Sequence, residues 1–556
     1  MLNEGVTDTQ PYDFVIIGSG FGGSVSALRL TEKGYRVLML EKGSRMRQND
    51  FPVTNWDVKR WLWAPIFGCR GLFQLRPFSH VQVLAGAGVG GGSLTYANTL
   101  PIPKGTFFNS PAWADLADWE TELTPHYHTA RRMLGAAPTD FLTPADELLQ
   151  ELAAERGTPE AFEKPHVSVF MGKPGETVPD PYFDGEGPER TGCIRCGSCM
   201  TGCRHGAKNS LDKNYLYLAE KHGLTLLADT EVVHVAPLPE AHRGYRIRAL
   251  EGRAYWTRSE RIFEAKNVIF AGGALGTNSL LLRLRDDPTA LPNLPQQVGH
   301  RVRTNSESLI CVTVPGSHPD HSTGIAINSL LQTDEHSHLE MVRYGAGSGF
   351  FRTLVTAPHV AGTGALVLFL RILLAMLTRP LLTLRALFVS DWARSTMILL
   401  YMRTTEGTLR FVRSRLGFMN TRLEAGERPS ARMPEATELA LRIAEKSGGI
   451  ARSLFYEQIF DMPTTAHILG GCCMGKSAEA GVIDHRHRVF GYEGLYVIDG
   501  SAVSANVGVN PSLTICALAE RAMSFIPVKL RLPRERTSLT MKPVPKAAVC
   551  GDEQAE

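Results

Sequence analysis

Cys193, Cys196, Cys199 and Cys203 stand at C-x2-C-x2-C-x3-C spacing in a chain of 556 residues. Four thiolates so placed suit an iron–sulfur cluster. The proline that usually follows the fourth cysteine is replaced by Arg204 and His205, and no second cysteine set exists. Three readings stay open: a cluster that relays electrons, a zinc or disulfide clip, or thiols that pack.

A second kind of chemistry needs backbone rather than side chains. "YDFVIIGSGFGG" places Gly18, Gly20 and Gly23 as G-x-G-x-x-G after a continuous apolar run. The run reads as a buried parallel strand. The first glycine permits a tight turn, the second lets a pyrophosphate approach, and the third lets helix pack on strand. The helix N-terminus then offers free N–H groups to phosphate. "YRVLMLE" ends in Glu41, placed to accept hydrogen bonds from a ribose diol. An acid there argues against a 2′-phosphate and leaves FAD and NAD undivided.

Three further stretches must position such a site. "LAGAGVGGGSLTYAN" is too glycine-rich for a helix or strand interior. "AKNVIFAGGALGTNSLLLRL" repeats strand, glycine pair and helix more than 200 residues after the first strand. A nucleotide domain built from separated pieces follows. "LYVIDG" reads as a buried strand ending at Asp499 and Gly500. In "NPSLTICALAERAMSFI", Asn510 is an N-cap and Pro511 the first helical residue.

"GSGFGG…E", "GAGVGGGSL", "HILGG", "LYVIDGS" and "GVNPSLT", in this order over about residues 12–527, resemble the GMC (glucose–methanol–choline) flavin oxidoreductases. Within them the chain resembles the bacterial cholesterol oxidase branch, which holds FAD non-covalently. The resemblance implies oxidation of an alcohol to a ketone, with hydride passing to the flavin. It implies His467 as the base that takes the hydroxyl proton and Asn510 as the amide that orients the substrate oxygen and touches the flavin. Gly88, Gly91, Ser93 and Asn98 are expected to line the flavin. No histidine stands in the glycine loop, so the flavin is expected to dissociate. A helix start beside the flavin ring would stabilise the negative charge of its reduced form. The branch often also moves a ring double bond with a carboxylate base, for which Glu406 and Glu457 are candidates. His485 and His487 read as surface or strand-edge residues.

Composition bounds the rest. Net charge is +3, so composition gives no reason to expect nucleic acid, and ten cysteines are no disulfide scaffold. No charged-then-apolar leader opens the chain, so a cytoplasmic protein is expected. Residues 361–416 carry eight arginines and two acids on an apolar background. That segment suits either a helix at an anionic membrane interface or a buried helix of the substrate domain. Its apolar character favours a sterol or other bulky lipid alcohol over a sugar.

The expected architecture is α/β. A Rossmann-type FAD domain takes residues 10–135, 190–305 and 463–530. A substrate domain on an antiparallel sheet takes 136–189 and 306–462, with an apolar lid over 361–390, and 531–556 form a disordered tail. The expected activity is oxidation of a secondary alcohol on a sterol-like substrate, with oxygen or another acceptor and with peripheral membrane contact as a further partner. Two alternatives remain: an FAD or flavin–iron–sulfur dehydrogenase of another alcohol, and a flavin-binding membrane-associated redox protein without steroid turnover.

Overall fold

The computed structural model describes residues 10–239, 243–316, 318–355, 357–362, 364–405 and 407–529. The expected tail and Glu406 lie outside the described residues.

Two seven-stranded sheets organise the chain. The first runs Thr225–Leu227, Val37–Leu40, Tyr12–Ile17, Ser259–Phe270, Tyr245–Glu251 and Thr230–Pro237, with Leu495–Val497 also on Ser259–Phe270. The long strand Ser259–Phe270 serves both halves. Its first part pairs antiparallel with Tyr245–Glu251, and its last part pairs parallel with Tyr12–Ile17 and Leu495–Val497. Every residue of Tyr12–Ile17 and Val37–Leu40 is buried, as two covered faces require. The helices Phe21–Glu32 and Gly273–Asp286 leave the carboxyl ends of their strands, where ligands of such sheets bind.

The second sheet is antiparallel throughout: Ala357–Pro358, Ile450–Ser453, Glu307–Thr313, Thr396–Arg403, Ser337–Val342, Ile327–Gln332 and Phe162–Glu163. Its side chains alternate between two apolar clusters, as strand geometry demands. Ile310, Val312, Leu339, Met341 and Leu399 pack with Leu149 of Pro144–Glu155 and with Leu439 and Ile443 of Pro434–Ser447. Cys311, Val342, Ile398, Leu400 and Met402 face the other way. A Rossmann-type sheet joined to an antiparallel one is the expected fold class.

One sequence expectation shifts. The last helix spans Ser512–Ser524 with Pro511 in the capping position, and no side chain caps it. Asn510 stands one residue before the capping position, and its Nδ2 donates to Glu340 on the second sheet.

Candidate active site

A cavity of about 570 Å³ lies between the two sheets. Gly18, Gly20, Glu41, His467, Asp499, Gly500 and Asn510 line it, together with Leu400 and Val342 of the second sheet. The dinucleotide side is built from backbone. Gly18 has φ +103°, and a Cβ there would stand 2.5 Å from the Ala271 carbonyl. Gly22, which the motif reading passes over, is as tightly held: its Cβ would fall 1.9 Å from the Ile498 carbonyl. Gly23 instead meets the Gly18 carbonyl at 2.2 Å, the helix-on-strand contact its place in the motif demands.

Glu41 ties the loop as well as facing the cavity. It accepts from the Ser19 N–H at 2.9 Å, the Ser19 hydroxyl at 2.8 Å and the Gly43 N–H at 2.8 Å. Asp499 accepts from the Gly273 N–H at 2.8 Å, from Thr277 Oγ1 at 2.5 Å and from the Ser501 N–H at 2.8 Å. It thereby joins the late strand to the glycine pair. Burial pushes its carboxyl above the ordinary range, and these donors restrain that rise.

Gly88, Gly91, Ser93 and Asn98 do not form the cavity wall; Gly86, Gly92, Ala97 and Thr99 do. A Cβ on Gly91 would stand 2.7 Å from Gly20 Cα, so this glycine serves the close approach of the two loops. The Ser93 hydroxyl is used up inside the loop, donating to the Gly90 carbonyl at 2.7 Å and accepting from the Leu211 N–H at 3.0 Å. Asn98 is fully buried at φ +71°, and neither amide atom has a partner in the protein.

The other side of the cavity is built from side chains. His467 stands between two short strands that fix it at both ends. Thr464–Thr465 pairs with Gln82–Gly86, and Leu469–Gly471 pairs with His300–Arg303. Its Nδ1 lies 2.6 Å from Glu307 Oε1. Glu307 is buried and accepts from Thr465 Oγ1 at 2.8 Å and from the Ala466 N–H at 2.9 Å. Burial works against a charge on His467, but Glu307, and Glu340 more weakly, outweigh it and hold the imidazole above its ordinary pKa. Asn510 Nδ2 donates to Glu340 Oε2 at 3.3 Å, while Asn510 Oδ1 and Glu340 Oε1 are buried without a hydrogen bond.

Neither carboxylate was anticipated. Glu307 and Glu340 stand on strands either side of Thr396–Arg403, opposite Met402 and Leu400. Alternation puts both on the face of Cys311, Val342 and Leu400. A signal did exist: a charged residue inside the buried run "SHLEMV" needs a partner. Glu457 is not on the cavity wall. It accepts from the Thr464 N–H at 2.9 Å, whereas Glu340, also off the wall, accepts from the Nδ2 of Asn510, which is on it.

The cysteine expectation also changes. Among the described residues no group of three or more His, Cys, Asp or Glu side chains converges as a metal site. Cys193, Cys199 and Cys203 pack with Val167, Val169 and Ile325, and all four thiols are free. Burial pushes the Cys193 thiol up to about 12, while at Cys203 burial is outweighed by backbone hydrogen bonds from Lys208 and His205, which hold that thiol below its ordinary value. His487 is buried rather than at the surface, its Nδ1 2.8 Å from the Val497 carbonyl, and burial lowers it to about 4.

With this geometry, comparison with known proteins is informative. GMC oxidoreductase family models match residues 185–284 and 407–519, and an NAD(P)-binding Rossmann-like model matches 16–49. A cholesterol oxidase of Acinetobacter baumannii is 42% identical over 97% of this chain and 98% of its own length. A cholesterol oxidase of Mycobacterium tuberculosis is 43% identical over 93% of this chain and 91% of its own. The chain belongs to the GMC oxidoreductase family. A long-chain-alcohol oxidase of Arabidopsis thaliana is 24% identical over 91% of the chain and 66% of its own length. The crystal structure of pyridoxine 4-oxidase from Mesorbium loti superposes with TM-score 0.57 at 16% identity, covering 92% of this chain and 98% of that one. That likeness extends the shared fold across both sheets of this GMC oxidoreductase.

Proposed function

We propose that the protein oxidises the secondary hydroxyl of a sterol to a ketone, with FAD as cofactor and dioxygen as electron acceptor. The observation that carries this is the meeting of His467 and Asn510 with the Gly18–Gly20 loop on one cavity. The similarity to two cholesterol oxidases supports the substrate class.

The residues present fit FAD. Gly18, Gly20 and Gly22 leave bare backbone on the wall where a pyrophosphate would sit, Glu41 on the same wall would accept from a ribose diol, and the Asn98 amide, unpartnered between wall residues Ala97 and Thr99, is left for the group. Bound there, FAD supplies the acceptor for hydride from the carbinol carbon. Asn510 Nδ2, which gives one hydrogen to Glu340, donates the other to the substrate oxygen and orients it. His467 removes the hydroxyl proton at Nε2, since Nδ1 is turned to Glu307. Glu340 Oε1, buried and without a hydrogen bond, is placed to move a proton between ring carbons after the ketone forms.

The test is anaerobic absorbance with a 3β-hydroxysteroid. The flavin spectrum bleaches with steroid and recovers in air, and His467→Ala lowers the bleaching rate by about 10²–10⁴-fold while retaining FAD. A parent-like rate in that variant removes His467 as the base.

Peripheral membrane contact is part of the same proposal. Ala365–Thr378 and Pro380–Leu387 form a pair bent by 97°, and no single described helix is long and apolar enough to cross a membrane. Leu366, Leu374, Leu377 and Leu381 are exposed, with Leu381 at 75%. Arg371, Arg379 and Arg385 are exposed beside them. An apolar surface rimmed by cations suits an anionic bilayer. Flotation with phosphatidylglycerol vesicles is expected to capture the protein. Capture unchanged by Leu366→Ser/Leu377→Ser would remove this surface from the proposal.

A further inference from the structure

We propose that Glu307 is the positioning residue of His467: it holds the ring with Nδ1 toward itself and Nε2 toward the cavity, and its charge governs how readily Nε2 gains and loses a proton. The inference rests on the reading of His467 as the proton acceptor.

Glu307 is not free to turn away. It opens the strand Glu307–Thr313, whose hydrogen bonds to Thr396–Arg403 fix its backbone. One carboxylate oxygen takes the Thr465 hydroxyl, and the other takes the Ala466 N–H. The Thr465 hydroxyl in turn accepts from the His467 N–H at 3.0 Å. Carboxylate, threonine and imidazole thus form one rigid turn, and Oε1 is left 2.6 Å from Nδ1. The pair is close but its angle is not that of a hydrogen bond, Nδ1 being without a hydrogen-bond partner; a hydrogen on Nδ1 is the state the carboxylate favours, and it leaves Nε2 as the basic nitrogen.

The charges around the ring come from three elements. Glu307 stands on one strand and Glu340 on another, with His338 Nε2 3.6 Å from Glu340. Glu457 of Phe455–Phe460 lies behind the turn, bonded to the Thr464 N–H at 2.9 Å. Burial, helped by Glu307, lifts Glu457 to about 8, and Glu457 does not figure among the groups that act on the His467 ring.

The sign of the effect follows. Glu307 holds the proton on His467 to higher pH against the opposing effect of burial. The neutral, proton-accepting form therefore grows as pH rises through the raised value. Removing the charge lets burial dominate, and the proton leaves at lower pH.

The experiment is the pH profile of sterol kcat/KM, with ¹⁵N-histidine NMR of the reconstituted protein, for wild type, Glu307→Gln, Glu307→Asp and Glu457→Gln. Glu307→Gln is expected to move the acid limb and the His467 titration to lower pH. Its high-pH kcat should fall about tenfold or more, a part of what general base catalysis supplies. Glu307→Asp should recover part of the shift. Glu457→Gln, a neutral mimic, should leave the acid limb in place. An unmoved His467 titration in Glu307→Gln that still binds FAD overturns the proposal, as does an equal shift in Glu457→Gln. A ring titration that moves while the activity limb does not would retain the coupling and sink the base assignment instead. Should Glu307→Gln fail to fold, Thr465→Val, which removes one of its anchors, must shift the titration in the same direction; no shift there overturns the proposal too.

Discussion

The two seven-stranded sheets meet at one cavity but contribute in opposite ways. The first binds through backbone: its contacts are glycines, strand ends and a helix start, each set out by a motif local in sequence even where two such motifs meet from afar. The second works through side chains carried on strands far apart in the chain, Glu307 and Glu340, with Thr396–Arg403 between them. A backbone site is specified by what is missing, a Cβ. A side-chain site is specified by which faces come together, and that needs register.

The sharpest break in this comparison is predicted for Gly22→Ala. Its Cβ would overlap the Ile498 carbonyl at 1.9 Å, and backbone cannot yield as a flexible side chain can. A loss above about 3 kcal/mol is expected, measured by urea denaturation. Gly20→Ala is the contrast, since its Cβ would meet only the Ala271 carbonyl at 3.9 Å. It should melt within about 1 kcal/mol of the parent yet release FAD more readily, because a methyl intrudes where the pyrophosphate approaches.

The second sheet has its own weak point at Asp146. The carboxylate is fully buried and accepts from Arg343 Nη2 at 2.8 Å, Ser329 Oγ at 2.6 Å and Asn328 Nδ2 at 2.8 Å. Asp146→Asn leaves Arg343 buried and unpaired, and about 3–5 kcal/mol should be lost. Burial opposes the charge on Asp146, but Arg343 and these hydrogen bonds hold its carboxyl below the usual range. The stabilisation is therefore full above the unfolded carboxylate pKa of about 3.9 and is lost as pH falls through the lower folded value. Denaturation followed at several acidic pH values checks this. If the variant loses the second sheet while FAD stays bound, the two sheets are separate cooperative units; a single transition makes them one.

A smaller effect on folding but a selective one on chemistry is expected for Glu340→Gln. Ketone formation should persist while movement of the ring double bond slows by about 10²–10⁴-fold, read from product absorbance. Smallest of all, Leu366→Ser/Leu377→Ser should leave stability within about 0.5 kcal/mol per site in a thermal melt, because both side chains already face solvent.

Much of the first sheet was legible for the reason the comparison gives. "FVIIG", G-x-G-x-x-G and Glu41 fall within the stretch from Phe14 to Glu41, and each step follows from local geometry. His467 and Asn510 were legible only through resemblance, since neither "HILGG" nor "VNP" states a role in its own chemistry. Ser93 and Asn98 were expected beside the flavin by the same route; the Ser93 hydroxyl is taken up by Gly90 and Leu211, a contact between loops that no local pattern shows. The cysteines misled in the other direction. Spacing that suits a cluster was overridden by burial among Val167, Val169 and Ile325, strands and loops that no local pattern ties to residue 193.

The sequence by itself determined a glycine-bearing strand–helix–strand at the start, a chain that returns to that strand from afar, and an apolar, arginine-bordered segment near residue 370. These are properties of neighbours along the chain, set by backbone freedom and side-chain polarity. Only the tertiary structure decided that Glu307 stands 2.6 Å from His467, that Glu340 meets Asn510, and that Cys193, Cys199 and Cys203 pack with Val167, Val169 and Ile325. Those facts depend on strand register and on which face turns inward, and a shift of one residue would reverse each of them.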